Sequence, residues 1–302
     1  MKRRSWIRLL RWAAVAGLLL AWLGLVFRGR DGWVVAATIH YATPWLLRLL
    51  AGIFAVVVLR HRGLRLMAAT CLLVSAMEGW HSLRFDRLPE PVERELLVSI
   101  YNAGRTLERD PESWPVLGNT DLTAVVESGD FTEDAWEAFV GATRGMTWQR
   151  FGGTMLGVKG KILSHESLGV HDRYRCYRAR VNLPEHGEIT VVVADVRSQP
   201  WLPRDQAMEG ILRAAAGDPR VVVLGDFNTP PESVWYEGWH SSLSLANDGP
   251  RFGFRETWAF GLPLLTLDQV WIGSGWKPLW TDQTRHGSDH SRVRAVLVAA
   301  QR

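Results

Sequence analysis

An apolar run, Val221–Leu224, passes through Gly225 and ends in two polar residues, Asp226 and Asn228. Strand alternation sets Asp226 and Asn228 on one side and Phe227 on the other, so a carboxylate and an amide can face one ligand together. Gly225 would let the backbone turn or approach that ligand closely. The pattern recurs. Apolar, β-rich segments also end at Asn102, Glu127 and Asp289-His290, and Asp268 sits inside another. Burying a carboxylate at a strand end is costly unless it is paired, hydrogen-bonded or bound to a metal. Any one of these positions reads as an ordinary capped strand end. Together they point to a site for a hard cation, Mg²⁺ or Mn²⁺, which takes carboxylate, water and phosphate oxygens. The Cys/His spacing of a structural zinc is absent.

The elements that must position these residues are short. Strands are expected at Glu95–Tyr101, Leu122–Val126, Met146–Phe151, Thr154–Val158, Lys161–Ser164, Tyr174–Val181, Glu188–Ala194, Val221–Asn228, Phe254–Trp258, Leu267–Ile272 and Val293–Ala299. Thr132–Ala142 has helical spacing with Thr132 as its cap, and Pro203–Ala216 reads as a helix opening on a proline. Many short strands with few helices between them suggest a layered α/β sandwich.

Charge divides the chain. Residues 1–82 carry 11 Lys/Arg against 2 Asp/Glu, and the remainder carries 24 against 29. The apolar runs Trp12–Phe27, Thr43–Leu59 and Leu64–Trp80 approach the ~20 residues that cross a bilayer core and are read as about three transmembrane helices. Basic residues before the first run and between the second and third place the N-terminus in the cytoplasm. An odd number of crossings then puts everything after Trp80 in the periplasm or outside the cell. Residues 83–94, with prolines and charges, read as a linker, and 95–302 as the catalytic domain. Trp12, Trp33 and Trp80 suit an interfacial belt, whereas Trp201 and Trp235 suit a cleft wall or simple packing. Only two cysteines occur, Cys71 in the third run and Cys176 beyond it, so no disulfide can form within the outer domain.

With G-D-F-N at Gly225–Asn228, L-D-Q-V at Leu267–Val270 and S-D-H-S at Ser288–Ser291, the chain resembles the endonuclease/exonuclease/phosphatase superfamily. Asn102, Glu127 in A-V-V-E-S and Thr257-Trp258 extend the likeness across residues 96–299, and the apolar N-terminal runs resemble those of membrane-anchored bacterial members. The resemblance implies a four-layer α/β sandwich, two packed mixed sheets flanked by helices, that hydrolyses phosphate esters with a divalent metal. It implies Glu127 as the main metal ligand with Asn102 beside it and Asp289 completing that side. Asp226 would orient and deprotonate water, Asn228 would hold water or phosphate, and His290, fixed by Asp268, would contact the scissile phosphate. Such a division is chemically coherent, since a cation neutralises phosphoryl charge while a carboxylate positions the nucleophile.

One position departs from the pattern. Many members of the superfamily carry a His where this chain has Asp195, three residues before Ser198-Gln199-Pro200. An aspartate offers no cationic donor at neutral pH. Arg197 is a substitute for that phosphate or leaving-group role, or else a solvated strand-end residue. The reading is thus a membrane-anchored hydrolase of phosphodiesters or phosphomonoesters. The alternatives are a nuclease acting on DNA or RNA, and a tethered binding module that has lost turnover. The acidic balance beyond residue 82 favours a small phosphodiester or a lipid headgroup over a long nucleic-acid backbone, which would need a basic surface.

Overall fold

The computed structural model describes residues 2–171 and 174–300. The chain opens with four helices, α1 (Lys2–Phe27), α2 (Val34–Ala42), α3 (Trp45–Val58) and α4 (Arg62–Ser82), followed by a two-residue strand β1 (Arg84–Phe85). Next come β2 (Leu96–Asn102), a short α5 (Trp114–Leu117), β3 (Leu122–Val126), α6 (Glu133–Ala142), β4 (Thr147–Arg150) and β5 (Met155–Val158). The chain continues through β6 (Lys161–His171), β7 (Tyr174–Leu183), β8 (Gly187–Val196), α7 (Asp205–Ala215) and β9 (Val222–Asp226). It finishes with β10 (Leu243–Leu245), β11 (Phe252–Gly253), β12 (Asp268–Gly273), β13 (Trp276–Arg285) and β14 (Ser291–Ala299).

Two six-stranded mixed sheets result, ordered β13-β14-β2-β3-β5-β4 and β10-β12-β9-β8-β7-β6. Their inner faces interlock: Val98, Ile100 and Leu122 of the first meet Val191, Val193, Leu224 and Val270 of the second in one buried cluster. Outside the second sheet, α7 packs through Met208 and Ile211, beside the aromatic group Tyr236, Trp239 and Trp271. Outside the first, Trp114, Leu117 and Phe139 of α5 and α6 cover Tyr101 and Val125. Each sheet holds one parallel pair, β2 with β3 and β8 with β9, flanked by antiparallel partners. That arrangement decides where the site lies. The parallel pairs end at Asn102 and Val126 and at Val196 and Asp226, while antiparallel β12 begins at Asp268 opposite Asp226.

Several local expectations need correcting. The helix after Pro203 begins at Asp205, capped by Arg204, so the proline stands outside it. Phe254–Trp258 is not a strand. It is a loop with an isolated bridge from Trp258 to Leu265 and another to His290, and β11 precedes it. Gly225 is needed for a reason other than a ligand: a Cβ there would collide with the Ala194 carbonyl of adjacent β8. Strands β10 and β13 go beyond the expected set: β10 alternates Leu-Ser-Leu but has only 3 residues, and β13 breaks its alternation at an irregularity between Pro278 and Trp280.

Three independent membrane spans are not borne out. Among the described residues, Ser5–Phe27 alone is long and apolar enough, and α2 with α3 qualifies only as a pair bent by 69°. Helix α4 falls short because Arg65 and Glu78 interrupt its apolar run. The four helices nevertheless have an unusual surface. Small residues Ala14, Ala21, Ala55, Ala68 and Cys71 lie inside, whereas Leu19, Leu20, Leu50, Val57, Leu73 and Trp80 face outward. Trp12 and Trp33 are exposed too. The charges Arg48 and Glu78 are turned inward as an ion pair, with Arg28 3.6 Å from Glu78.

The helices are fastened to the sandwich. Buried Asp31 accepts hydrogen bonds from Tyr41 Oη at 2.7 Å and from the Val234 amide at 3.0 Å. Trp45 Nε1 donates to Glu256 at 2.8 Å, Ser82 bonds the same carboxylate, and β1 pairs with β11. Removing one partner from a buried charged hydrogen bond leaves the others desolvated, at a cost of about 1–3 kcal/mol. Asp31→Ala is therefore expected to lower the Tm of the detergent-solubilised protein and to speed proteolysis near residues 230–236. An unchanged Tm and cleavage pattern would mean that this contact does not hold the helices in place.

Candidate active site

The sequence-predicted residues meet at one end of the sandwich. Asn102, Glu127, Asn228, Asp289 and His290 line a cleft of about 440 Å³. Asp226 and Asp268 are buried behind them, 1% and 0% exposed. Asp195 and Arg197 line an adjoining cleft of about 390 Å³, which shares Glu127 and Ser198 with the first.

The centre is the Asp226 carboxylate. Its Oδ2 accepts from Asn102 Nδ2 at 2.8 Å, a bond that joins the two sheets, and from Asn228 Nδ2 at 3.1 Å. Its Oδ1 accepts from the Asn228 amide at 2.9 Å. Asn228 reaches this position with φ 47°, in the left-handed region that Asn tolerates better than most residues, and Nδ2 also donates to the Val196 carbonyl. Phe227 points the other way, into the aromatic group under the second sheet. Glu127 follows β3 with φ 46°, a conformation that turns it out of the strand toward the cleft. Gly104, at φ 54°, bends the backbone so that its amide donates to Asn102 Oδ1 at 2.9 Å.

His290 Nδ1 lies 2.8 Å from Asp268 Oδ2, and Nε2 lies 4.0 Å from Asp226 Oδ2. A carboxylate only accepts, so the proton sits on Nδ1 and Asp268 fixes the ring. Thr257 Oγ1 accepts from the amides of Leu267 and Asp268, holding the start of β12 in place. Trp258 Nε1 donates to Asp289 Oδ2 at 2.9 Å. Burial depresses the basicity of His290, but Asp268, Asp226 and Asp289 outweigh it and raise its pKa to about 10. Burial pushes Asp226 up to about 7 despite His290, with Asp268 and Asp195 adding to the rise. Burial and the nearby Glu127 carry Asp195 up to about 6.

These residues fit a divalent cation. Five carboxylates converge here, and buried Asp268 Oδ1 has no hydrogen-bond partner. Asp226, Asp268 and His290 come close enough to share one ion. Asp268 and His290 are already bonded to each other, so that trio is better described as an oriented dyad beside a carboxylate. Glu127, half-open to the cleft, is the freer oxygen donor.

The structure also brings in residues that no motif marked. Arg175 lies 3.8 Å from Asp195 across the β7–β8 ladder, and Arg105 lies 3.4 Å from Glu127. Only strand register reveals the first pair. Buried Arg204 donates to the carbonyls of Arg197, Gln199 and Asn228, so it shapes the loop carrying Arg197. Arg197 itself is exposed at the adjoining cleft. Most unexpectedly, Thr38, Tyr41 and Ala42 of α2 form a wall of the main cleft.

A family model described as "Endonuclease/Exonuclease/phosphatase family" matches residues 107–290. The chain belongs to this family. Among solved structures, an endonuclease/exonuclease/phosphatase family protein from Bacteroides thetaiotaomicron superposes with TM-score 0.55 at 14% identity, covering 69% of this chain and 99% of that one. An endonuclease/exonuclease/phosphatase from Beutenbergia cavernae gives 0.51 at 16% identity, covering 69% and 72%. A protein of unknown function from Enterococcus faecalis V583 gives 0.51 at 12% identity, covering 68% and 100%. At these identities the likeness is one of fold, and it spans the sandwich. No curated protein matches the sequence.

The charge at this site has a sign that can be measured. Asp195, Asp226 and His290 all have raised folded-state pKa values, so each holds its proton more tightly folded than unfolded. Their stabilisation is full below the unfolded pKa and is lost as pH rises through the folded one. In EDTA, Asp226→Asn should remove the part of this loss that falls between pH 4 and pH 7. The wild-type Tm is expected to fall relative to the variant across that window. Parallel Tm–pH curves would contradict the burial of a proton-binding carboxylate.

Proposed function

We propose that this protein is a divalent-cation-dependent hydrolase of phosphoesters, held at a membrane by its N-terminal helices. The observation that carries this reading is the hydrogen-bonded chain Asn102–Asp226, with His290–Asp268 beside it, opening on a cleft lined by Glu127 and Asp289.

In this reading Glu127, Asn102 and Asp289 hold Mg²⁺ or Mn²⁺. Such a cation, when bound, neutralises charge on the phosphoryl oxygens. Asp226 takes a proton from the attacking water, a task for which a pKa near 7 is well matched. Asn102 and Asn228 keep its oxygens aimed. Before it takes that proton, the deprotonated Asp226 is stabilised by His290, whose protonated ring offers Nε2–H to a phosphoryl oxygen while Nδ1–H stays on Asp268. Asp195 cannot give a cation to the leaving group, and Arg197 and Arg175 supply positive charge on that side.

The outward apolar faces of α1, α3 and α4, with Arg48 and Glu78 turned inward, support placing the helices in lipid. The basic residues Arg8, Arg11, Arg60 and His61 gather at the end away from the sandwich, which suits a cytoplasmic face and an external catalytic unit.

The test uses the full chain in detergent with bis(p-nitrophenyl) phosphate and p-nitrophenyl phosphate. Hydrolysis of at least one should need Mg²⁺ or Mn²⁺, stop with EDTA and return with added metal. Failure of the metal-loaded protein on both would overturn the reading and favour a binding module. Asp226→Ala and His290→Ala are expected to lower kcat by about 10²–10⁴-fold, whereas Glu127→Ala should chiefly raise the metal concentration needed. Near-wild-type rates in all three variants would refute the assignment of roles.

A further inference from the structure

The cleft has two chemically different halves that meet at Glu127 and Ser198. One half is strongly polar, with Arg105, Arg175 and Arg197 set among Glu127, Asp130 and Asp195. The other is bounded by Thr38, Tyr41 and Ala42 of α2 facing Trp258, Leu265 and Leu267. Ala37 and Tyr41 pack directly on Leu265 and Leu267, so this wall is continuous with the sandwich. Helix α2 also joins the outward apolar surface, since Trp33, Val34 and Val35 near its start are exposed. At the lip formed by the loop after Trp258, Phe260 and Leu262 are 68% and 55% exposed. The Phe260 amide donates to the Asp289 carbonyl, so this apolar lip is attached to the site itself. Water gains nothing from a rim of large apolar side chains; a ligand with an apolar chain does.

Resting on the hydrolase reading above, we propose that the substrate is a membrane-resident phosphodiester with a charged polar headgroup. Its apolar chains lie along the α2 wall and pass out over the exposed Phe260 and Leu262, and its headgroup lies in the half lined by arginines and carboxylates. The phosphorus then faces His290 in the cleft beside Glu127 and Asp289, with Asp226 behind the attacking water. Water adds to phosphorus, its proton passes to Asp226, and the P–O bond to the leaving alcohol breaks. The leaving oxygen takes a proton from solvent water and Asp226 returns its own to solvent, so a phosphomonoester and a free alcohol result. The N-terminal helices are, on this view, a wall of the substrate site as well as an anchor.

The experiment compares substrates of one headgroup chemistry with the full chain. Dioleoyl phosphatidylserine in phosphatidylcholine vesicles is set against the water-soluble glycerophosphoserine, with bis(p-nitrophenyl) phosphate as the headgroup-free control and single-stranded DNA as a polymeric one. Protein reconstituted into the same vesicles should cleave the lipid with kcat/KM at least about tenfold above the deacylated compound, the equivalent of burying about two methylenes. Ala42→Glu, which puts a charge on the α2 wall, should erode that lipid-over-soluble ratio about tenfold. Cleavage of the control with no preference for the lipid, or faster cleavage of DNA, would overturn the lipid assignment while leaving the hydrolase reading intact. Loss of the control reaction as well would overturn the hydrolase reading itself. The wild-type comparison stands even if Ala42→Glu does not fold.

Discussion

The buried carboxylate of Asp226 is the constraint on which this structure turns. It sits where two sheets meet, almost without solvent, and its neighbours include two further carboxylates, Asp268 and Asp195. Such a group would unfold the region or take up a proton unless donors were aimed at it. Asn102 from one sheet and Asn228 from the loop after β9 supply them, and His290 supplies positive charge. The bond from Asn102 is thus both a strap between the sheets and the means by which the carboxylate is kept in a useful state.

Topology makes that meeting possible. In an antiparallel sheet neighbouring strands end at opposite edges, whereas a parallel pair delivers two strand ends to the same edge. Each sheet contains one such pair, and the two pairs point the same way. Asn102 and Glu127 arrive from one, Asp195 and Asp226 from the other. The flanking antiparallel strands begin where these end, which brings in Asp268 and His290. Hydrophobic burial between the sheets then holds the edge rigid, while the strained backbones at Glu127 and Asn228 are confined to it.

The N-terminal helices add a second condition. A tether would need only a flexible link, yet Asp31, Trp45 and Ser82 each bond to the sandwich, and Tyr41 is both a rivet and a wall residue. Docking through buried polar bonds fixes orientation more tightly than apolar contact does, because each bond has a direction. The cleft is consequently built from two parts of different character: a polar end of the sandwich, and an apolar side where α2 meets Trp258, Leu265 and Leu267.

Much of this was written along the chain. Strand positions followed from short apolar runs, and the site residues from polar groups placed where those runs stop, because a strand fixes the facing of its neighbours by simple alternation. That is why Asp226 and Asn228 could be paired, and Phe227 set apart, without coordinates. The same strand-end pattern marked Glu127, Asp268 and His290, and the family motifs gave them their expected roles. Apolarity alone, however, overcounted the membrane spans, since it does not register a 69° bend between α2 and α3 or the effect of Arg65 and Glu78 on α4. Gly225 looked like room for a ligand, when the obstacle is the neighbouring strand's carbonyl. Arg175 beside Asp195, Arg204 under the Arg197 loop, and α2 at the cleft were decided only by tertiary structure. Local sequence sets what a residue can do and which way a strand turns it; which distant segment it meets depends on sheet register and docking, and these are settled by the burial of the whole chain.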